Sequence, residues 1–494
     1  MDRSICPPWD STIRARLSKR LLSGASGYIV ASHEKGPDIG KETEIRRMLL
    51  LGAAGDLATR YVLPALASLH EAKLLPEGFE ATGFARRDWD DEAFRKFVGE
   101  HLEEHAGDVD EKSRRDFLGS LRFSDADITD EGAMSEFLGG SDEPTLAYLS
   151  LPPGIFPPVV EALSGMPGGS RVVVEKPFGE DLSSARELNE LLHSLFDEEA
   201  VFRADHFLGM KALRDVLALR FANRVFGAVW SREHIERVEI VWDETLALEG
   251  RASYYDDAGA LKDLIQNHLL QTLCMLAMEE PSSTEPEPFR DKKLELLRAI
   301  KKMPSEEVEE NTVRARYSSG EIEGRKVPAY SEEEGVEPSR NTETFAEATL
   351  HIENERWRGV PLLLRTGKAM AENRQEIRVH FKASQNSLFE DGESSNGDPN
   401  VLTIPFDGGA VGLSVNAAKD GGGLARAEMA AEFEEQKLPA YATLLLRALR
   451  GDPTFFVRGD EAEESWRIVA PILEAWKEDR PPLREYPAGS EGPE

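Results

Sequence analysis

The sequence predicts an α/β chain in two parts, a doubly wound parallel-stranded N-terminal domain followed by an α+β domain with a large antiparallel sheet. Three observations carry this. Strand-sized apolar runs alternate with helical periods from Arg46 to about residue 200, and from Val238 onward strand-like runs follow one another with little helix between them. A glycine turn, Gly52-Ala53-Ala54-Gly55, stands at the first strand-to-helix junction.

The elements follow in order. Met48–Leu51, Ala81–Ala85, Leu146–Leu149 and Val172–Val174 are short continuous apolar runs, as strands buried on both faces require. Leu57–Leu69 has a helical period between the first two, so right-handed crossovers join a parallel sheet. Val238–Val241, Phe345–Ile352, Glu376–Phe381 and Val401–Val415 form the second group of strands. Residues 318–342 and 384–400, rich in Ser, Glu, Gly, Asn and Pro, are expected to be exposed loops. The expected division is a disordered extension over 1–45, a nucleotide-binding domain over 46–202, an α+β domain for substrate and oligomerisation over 203–480, and a frayed tail over 481–494. Arg14, Arg16, Lys19 and Arg20 leave targeting by the extension as the less favoured reading.

Composition excludes several classes. The chain of 494 residues is 40% apolar and 30% charged, with no apolar run near the roughly 18 residues a membrane-spanning helix needs. With 91 acidic against 59 basic residues its net charge of -32 repels nucleic acid and anionic membranes, so an anionic ligand must be held by local cations. Two cysteines, Cys6 and Cys274, are too few for a disulfide framework or a thiolate metal site; a reducing cytoplasmic compartment fits, and no metal is expected.

Between Leu51 and the helix that follows, Gly52, Ala53, Ala54, Gly55, Asp56 and Leu57 let backbone pass close to a pyrophosphate beside free helix-N-terminal amides. The second strand ends in Gly83-Phe84-Ala85-Arg86-Arg87. At that point an acidic residue selects NAD and an arginine accepts the extra phosphate of NADP, so Arg86 argues for NADP and a Rossmann-type domain.

Several strings in order resemble the glucose-6-phosphate dehydrogenase family. They are GAAGDLATRYVLPAL from Gly52, GFAR from Gly83, LPP from Leu151, EKPFG from Glu175, RADHFLG from Arg203, YYDDAGALKDLIQNHLLQ from Tyr254, RDKK from Arg290 and VPLLLRTGK from Val360. The resemblance runs from about Met48 to about Trp476. It implies oxidation of the anomeric carbon of glucose 6-phosphate by NADP to the lactone, in a homodimer or homotetramer built through the second domain's sheet. An altered or unphosphorylated hexose, or a catalytically weak regulatory paralogue, are the alternatives.

By the same resemblance His268 is the proton acceptor and Asp205 its partner, although Asp205 could equally cap the helix starting near Leu208. An imidazole suits that task near neutral pH, and His268 lies four residues after Leu264 and seven after Leu261, inward on an apolar helical stripe. His206 is implied at the substrate phosphate, and Glu244 and Asp263 at sugar hydroxyls. Lys176 is implied between nicotinamide and sugar, Lys368 at the sugar from the second domain, and Pro152 at the cofactor. Pro177 after Lys176 suggests a fixed turn of the kind that admits a cis peptide.

The chain departs from the pattern at the phosphate end. The family string His-Tyr-Leu-Gly-Lys reads His206-Phe207-Leu208-Gly209-Met210 here, which removes a hydroxyl and a cation; Lys211 sits one position on. A usually basic position is Asn373, with Arg374 next to it, and a usual lysine in the nucleotide turn is Thr59.

Overall fold

Met48, Leu49, Leu50 and Leu51 are all at most 1% exposed, and they form the strand β1 (Arg47–Leu51) in the middle of a parallel sheet. The computed structural model describes residues 45–248, 252–384, 398–420 and 423–493, side chains at 252–254 excepted; all belong to one unit, Thr43–Glu494. Of the expected disordered extension over 1–45 only Ile45 is described, and it is buried at 2% exposure; most of the expected loop at 384–400 lies outside the described residues.

Among the described residues, β1 joins β2 (Glu80–Phe84), β3 (Leu121–Ser124), β4 (Thr145–Leu149), β5 (Arg171–Glu175) and β6 (Val201–Ala204) in the order β3-β2-β1-β4-β5-β6, with every pair parallel. Parallel pairing aligns their C-terminal ends along one edge, where ligands of doubly wound sheets bind. Helix α1 (Leu63–Glu71) continues a π-helical turn at Ala58–Val62, and α2 (Asp91–His105) starts at Asp90, whose carboxylate accepts from the Ala93 amide at 2.8 Å. Since β6 belongs to this sheet and reaches Ala204, the sheet extends past the expected boundary at residue 202.

The second sheet is mostly antiparallel. Its strands are β7 (Ile235–Asp243), β8 (Thr312–Ser318), β11 (Phe345–Leu350), β12 (Leu362–Gly367), β13 (Arg374–Phe381), β14 (Val401–Pro405), β15 (Ala410–Ala418), β16 (Leu424–Glu432) and β17 (Arg484–Pro487); β9 (Gly320–Ile322) and β10 (Arg325–Val327) make a separate hairpin. The order is β16-β15-β14-β13-β7-β12-β11-β8-β17, with β7 parallel to β12. Helix α3 (Lys211–Ala222) follows β6, and a π-helical segment, Leu261–Leu269, runs into α4 (Leu270–Ala277).

Every residue from Leu264 to Met278 is buried, so this helix is central rather than amphipathic, and the expected apolar stripe is replaced by burial all round. Its C-terminal carbonyls have no water to turn to. Arg220 donates to the Met275 oxygen at 2.8 Å, Trp230 to Leu276 at 2.9 Å and Trp357 to Ala277 at 2.8 Å, which satisfies groups a buried helix end would otherwise orphan. The guanidinium also complements the negative end of the helix dipole.

The C-terminal helices α5 (Ala440–Arg450) and α6 (Gly459–Lys477) return to the first sheet. Arg171, at the start of β5, donates to the Ala448 and Leu449 carbonyls at 2.9 and 2.8 Å, and the Trp466 indole donates to the Phe178 carbonyl at 2.9 Å. Two loop expectations are corrected. Within 318–342 lie the β9–β10 hairpin and Tyr330, which is 1% exposed. The tail is not frayed: β17 pairs with β8 in parallel, and Tyr486 is 1% exposed beneath it. One inward aromatic on an otherwise polar strand anchors the segment, a signal too short for composition to reveal.

The Tyr486 hydroxyl donates to the Lys368 carbonyl at 2.6 Å and meets Thr344 Oγ1 at 2.9 Å. Tyr486→Phe is expected to lower stability by about 1 kcal/mol through loss of these bonds. Tyr486→Ala, which also opens a cavity, should cost roughly 3–5 kcal/mol. Urea unfolding of both variants checks this; two neutral substitutions would mean the tail does not belong to the folded core.

Candidate active site

The aligned strand ends lay out a line of side chains. In sheet order they are Arg86 after β2, Gly52 after β1, Pro152 after β4, Lys176 after β5 and Asp205 after β6. Adjacent strands lie about 4.8 Å apart, so the line is roughly 19 Å long.

At the β1 end, Gly52 has φ +90° and a Cβ there would come within 2.2 Å of the Ser150 carbonyl oxygen. Only glycine closes this turn. Its own amide and that of Ala53 are bound by the Phe84 carbonyl at 3.0 and 2.9 Å, which holds the turn over the sheet edge, while Thr59 N–H reaches back to Gly55 to begin the helix. The amides of Asp56 and Leu57 in that first turn are of the kind a helix leaves open. Ser150 Oγ is buried beside the turn without a hydrogen-bond partner, and Arg86 is exposed at the rim. A glycine cradle, open amides, an unpartnered hydroxyl and a peripheral cation fit a phosphorylated dinucleotide.

At the other end, Asp205 Oδ1 is 2.5 Å from His268 Nδ1, and both side chains are at most 2% exposed. Asp205 Oδ1 also accepts from the Phe207 amide at 3.0 Å, so the two readings left open for Asp205, cap and histidine partner, both hold. Burial alone would raise the Asp205 carboxyl, but the His268 ring beside it and these hydrogen bonds outweigh burial and hold it below the usual carboxylate range. With Nδ1 engaged by a carboxylate, the Nε2 nitrogen of His268 is the one left to take a proton.

Phe207 lies flat against the His268 ring, with centroids 4.2 Å apart at 6°. It is 1% exposed and packs on Trp242 and Phe406. His206 meets His268 edge-on at 4.6 Å and stacks on Tyr441 at 5.4 Å. Burial, then the neighbouring His268, push His206 down to about 3, so its ring is neutral at ordinary pH. Ligand atoms of Asp205, His206 and His268 lie within 4.8 Å of one another, but the closest pair is already engaged with itself.

Two ion pairs complete the cluster. Lys176 Nζ is 2.9 Å from Asp263 Oδ1, and Lys368 Nζ is 2.8 Å from Glu244 Oε2. The β7–β12 register, Asp243 opposite Gly367, brings Glu244 and Lys368 together one residue beyond the strands. Burial works to raise Asp263, but Lys176, Lys368 and His268 prevail and lower it, which places these four charged or basic groups around one point. The Lys176–Pro177 peptide is cis.

The cations nearest the positions where the resemblance expects phosphate ligands are committed elsewhere. Lys211 pairs with Asp215 at 2.7 Å, Arg374 with Glu376 at 3.0 Å and Glu239 at 3.3 Å, and Asn373 accepts from the Thr245 amide at 2.9 Å. An open concavity of about 660 Å³, lined by His70, Lys73, Asp110 and Lys112 among others, contains none of the residues above.

Glu343, on no helix or strand, escaped the sequence reading. Its Oε1 accepts from the Leu261 amide at 3.0 Å, at the start of the π-helical segment that carries Asp263 and His268. Gly259 has φ +71°, and a Cβ there would strike this carboxylate at 2.5 Å. No spacing or motif announces a buried carboxylate 75 residues from the histidine it supports.

The fold and site together define a dinucleotide-dependent dehydrogenase with a histidine–aspartate pair. Comparison with known proteins makes the class specific. The glucose-6-phosphate dehydrogenase NAD binding domain matches residues 49–214, and the C-terminal domain of the same family matches 217–494. The chain is 37% identical over 476 residues to glucose-6-phosphate 1-dehydrogenase of Treponema pallidum, covering 90% of this chain and 92% of that one. It is 39% identical to that of Gluconobacter oxydans, covering 90% and 94%. A solved glucose-6-phosphate dehydrogenase in complex with glucose 6-phosphate superposes with a TM-score of 0.83 at 33% identity, covering 91% and 96%. The chain belongs to the glucose-6-phosphate dehydrogenase family.

Burial pushes the Glu343 carboxyl up to about 7, against the pull of the Leu261 amide and Arg314. The folded protein therefore binds this proton more tightly than the unfolded chain, whose carboxyl titrates near 4.5. Stability falls as pH rises from about 4.5 to 7 and the penalty stays above that window. Glu343→Gln keeps an acceptor for Leu261 and removes the titration. Its unfolding free energy should match the parent near pH 4.5 and exceed it above pH 7, by at most about 3 kcal/mol. A pH-independent difference between the two would refute this.

Proposed function

We propose that this chain oxidises C1 of glucose 6-phosphate to the lactone with NADP, His268 being the base. NADP, when bound, accepts the hydride released from C1. Gly52 to Leu57 hold its pyrophosphate, with Pro152 beside them, and Arg86 takes the 2′-phosphate. Lys176 stands where nicotinamide and sugar meet.

The observation that carries this reading is the short Asp205–His268 contact at the end of the strand-end line. As the hydride leaves, Nε2 of His268 takes the proton of the C1 hydroxyl, and the buried carboxylate of Asp205 stabilises the imidazolium that forms. Asp263 and Glu244 accept from sugar hydroxyls, each with a lysine, Lys176 or Lys368, already beside it. These charges are in place before the sugar arrives, so little reorganisation accompanies the reaction.

Neutral His206 contacts the phosphate without offering a charge. A nucleotide part ending just after β6, a substrate part that runs on through β17, a cytoplasmic location, and self-association through the second sheet belong to the same reading.

His268→Asn is expected to lower kcat by roughly 10² to 10⁴, with NADP affinity, followed by fluorescence titration, unchanged. A variant retaining near-normal turnover would make His268 a structural residue.

The commitments of Lys211 and Arg374 favour a second reading of the sugar's phosphate end, in which discrimination between glucose 6-phosphate and free glucose is small. A charge-assisted hydrogen bond contributes about 1.5–3 kcal/mol, roughly a ten- to hundred-fold factor. Met210→Lys, at the half-buried position opening α3, should lower the KM for glucose 6-phosphate about tenfold and leave that for glucose within about twofold. Steady-state kinetics on both sugars decide it; an unchanged ratio refutes the idea.

A further inference from the structure

Helix α2 closes in His101-Leu102-Glu103-Glu104-His105. On a helix, positions four apart lie one turn above each other on one side, so the two imidazoles share a face. Their rings are parallel to within 6° with centroids 6.2 Å apart, and Glu104 Oε2 lies 3.8 Å from His105 Nε2. One ligand atom from each of the three residues falls within 4.8 Å of the others. Metal–nitrogen and metal–oxygen distances near 2.0–2.2 Å let one ion bridge donors about 4 Å apart, so small side-chain rotations complete the set.

We propose that His101, Glu104 and His105 form a binding site for a divalent transition-metal ion of the zinc or nickel kind, separate from the reaction centre. Two imidazoles and one carboxylate suit these borderline ions, whereas magnesium and calcium prefer oxygen donors throughout. Three further features favour a cation here. The site is in the last turn of the helix, where the dipole's negative end and open carbonyls point. Glu100, Glu103 and Asp108 are exposed nearby in a strongly acidic chain. His101 is held edge-on by Phe97 at 4.5 Å, which limits the ordering a bound ion would require.

Topology separates the site from the chemistry. Helix α2 begins beyond the C-terminal end of β2 and runs back for 15 residues, roughly 22 Å, toward the opposite edge of the sheet. An ion there secures the last turn of α2 and takes no part in hydride transfer.

Calorimetric titration of zinc chloride into the untagged full chain tests this, with turnover measured in parallel. The expected result is about one equivalent bound without loss of turnover, and a rise in the thermal unfolding midpoint with zinc. His105→Gln, His101→Ala and the exposed Glu104→Gln should each weaken binding tenfold or more and abolish that rise, while metal-free turnover stays as in the parent. Zinc affinity unchanged in the His101→Ala/His105→Gln double variant would overturn the proposal. So would zinc that stops turnover equally in parent and double variant, since that places the ion at Asp205, His206 and His268.

Discussion

The buried contact between Asp205 and His268 joins the two halves of the molecule, and much of the architecture serves to make it tolerable. Asp205 stands at the end of an edge strand of the parallel sheet, and His268 in the middle of a helix with no exposed face. Taking a carboxylate out of water costs several kcal/mol unless its lone pairs find partners. The imidazole and the Phe207 amide both bind Oδ1, while the buried Oδ2 has no hydrogen-bond partner among the described residues, so the burial is only partly compensated; the turn over His206–Gly209 exists in that shape because Asp205 caps it. The central helix in turn is buried only because Arg220, Trp230 and Trp357 satisfy its far end.

Around that contact, charge is arranged in pairs that bridge elements of different origin. Lys176 comes from the first sheet and Asp263 from the central helix; Glu244 and Lys368 come from neighbouring strands of the second sheet. On the proposed reading a sugar entering between them exchanges one set of hydrogen bonds for another, while Lys176 and Lys368 hold the Asp263 carboxyl below the usual range. Glu343 acts further back, fixing where the π-helical segment starts and hence where Asp263 and His268 fall along it.

How legible this was in the sequence depended on the range of the interaction. The strands β1, β2, β4 and β5 were legible because burial on both faces leaves continuous apolar runs, and the glycine turn because its backbone admits no side chain. The pairing of Asp205 with His268 spans 63 residues, and only the resemblance, not spacing, pointed to it. The π-helical segment was read with the wrong period, since burial all round erases the periodicity that separates one helix type from another. β17 was missed because a single buried tyrosine holds it, and Glu343 because a loop carboxylate carries no pattern.

The sequence did show that the phosphate end is unusual, and the structure supplies the physical consequence. In a chain with net charge -32, three cations near the site have carboxylates of their own: Lys368 has Glu244, Lys211 has Asp215, and Arg374 has Glu239 and Glu376. An incoming phosphate must therefore compete with groups already in place, in contrast to a site holding a cation in reserve. Phe207 in the same place stacks on His268 and packs against Trp242 and Phe406, so an apolar ring braces the face of the imidazole where the resemblance expected a hydroxyl.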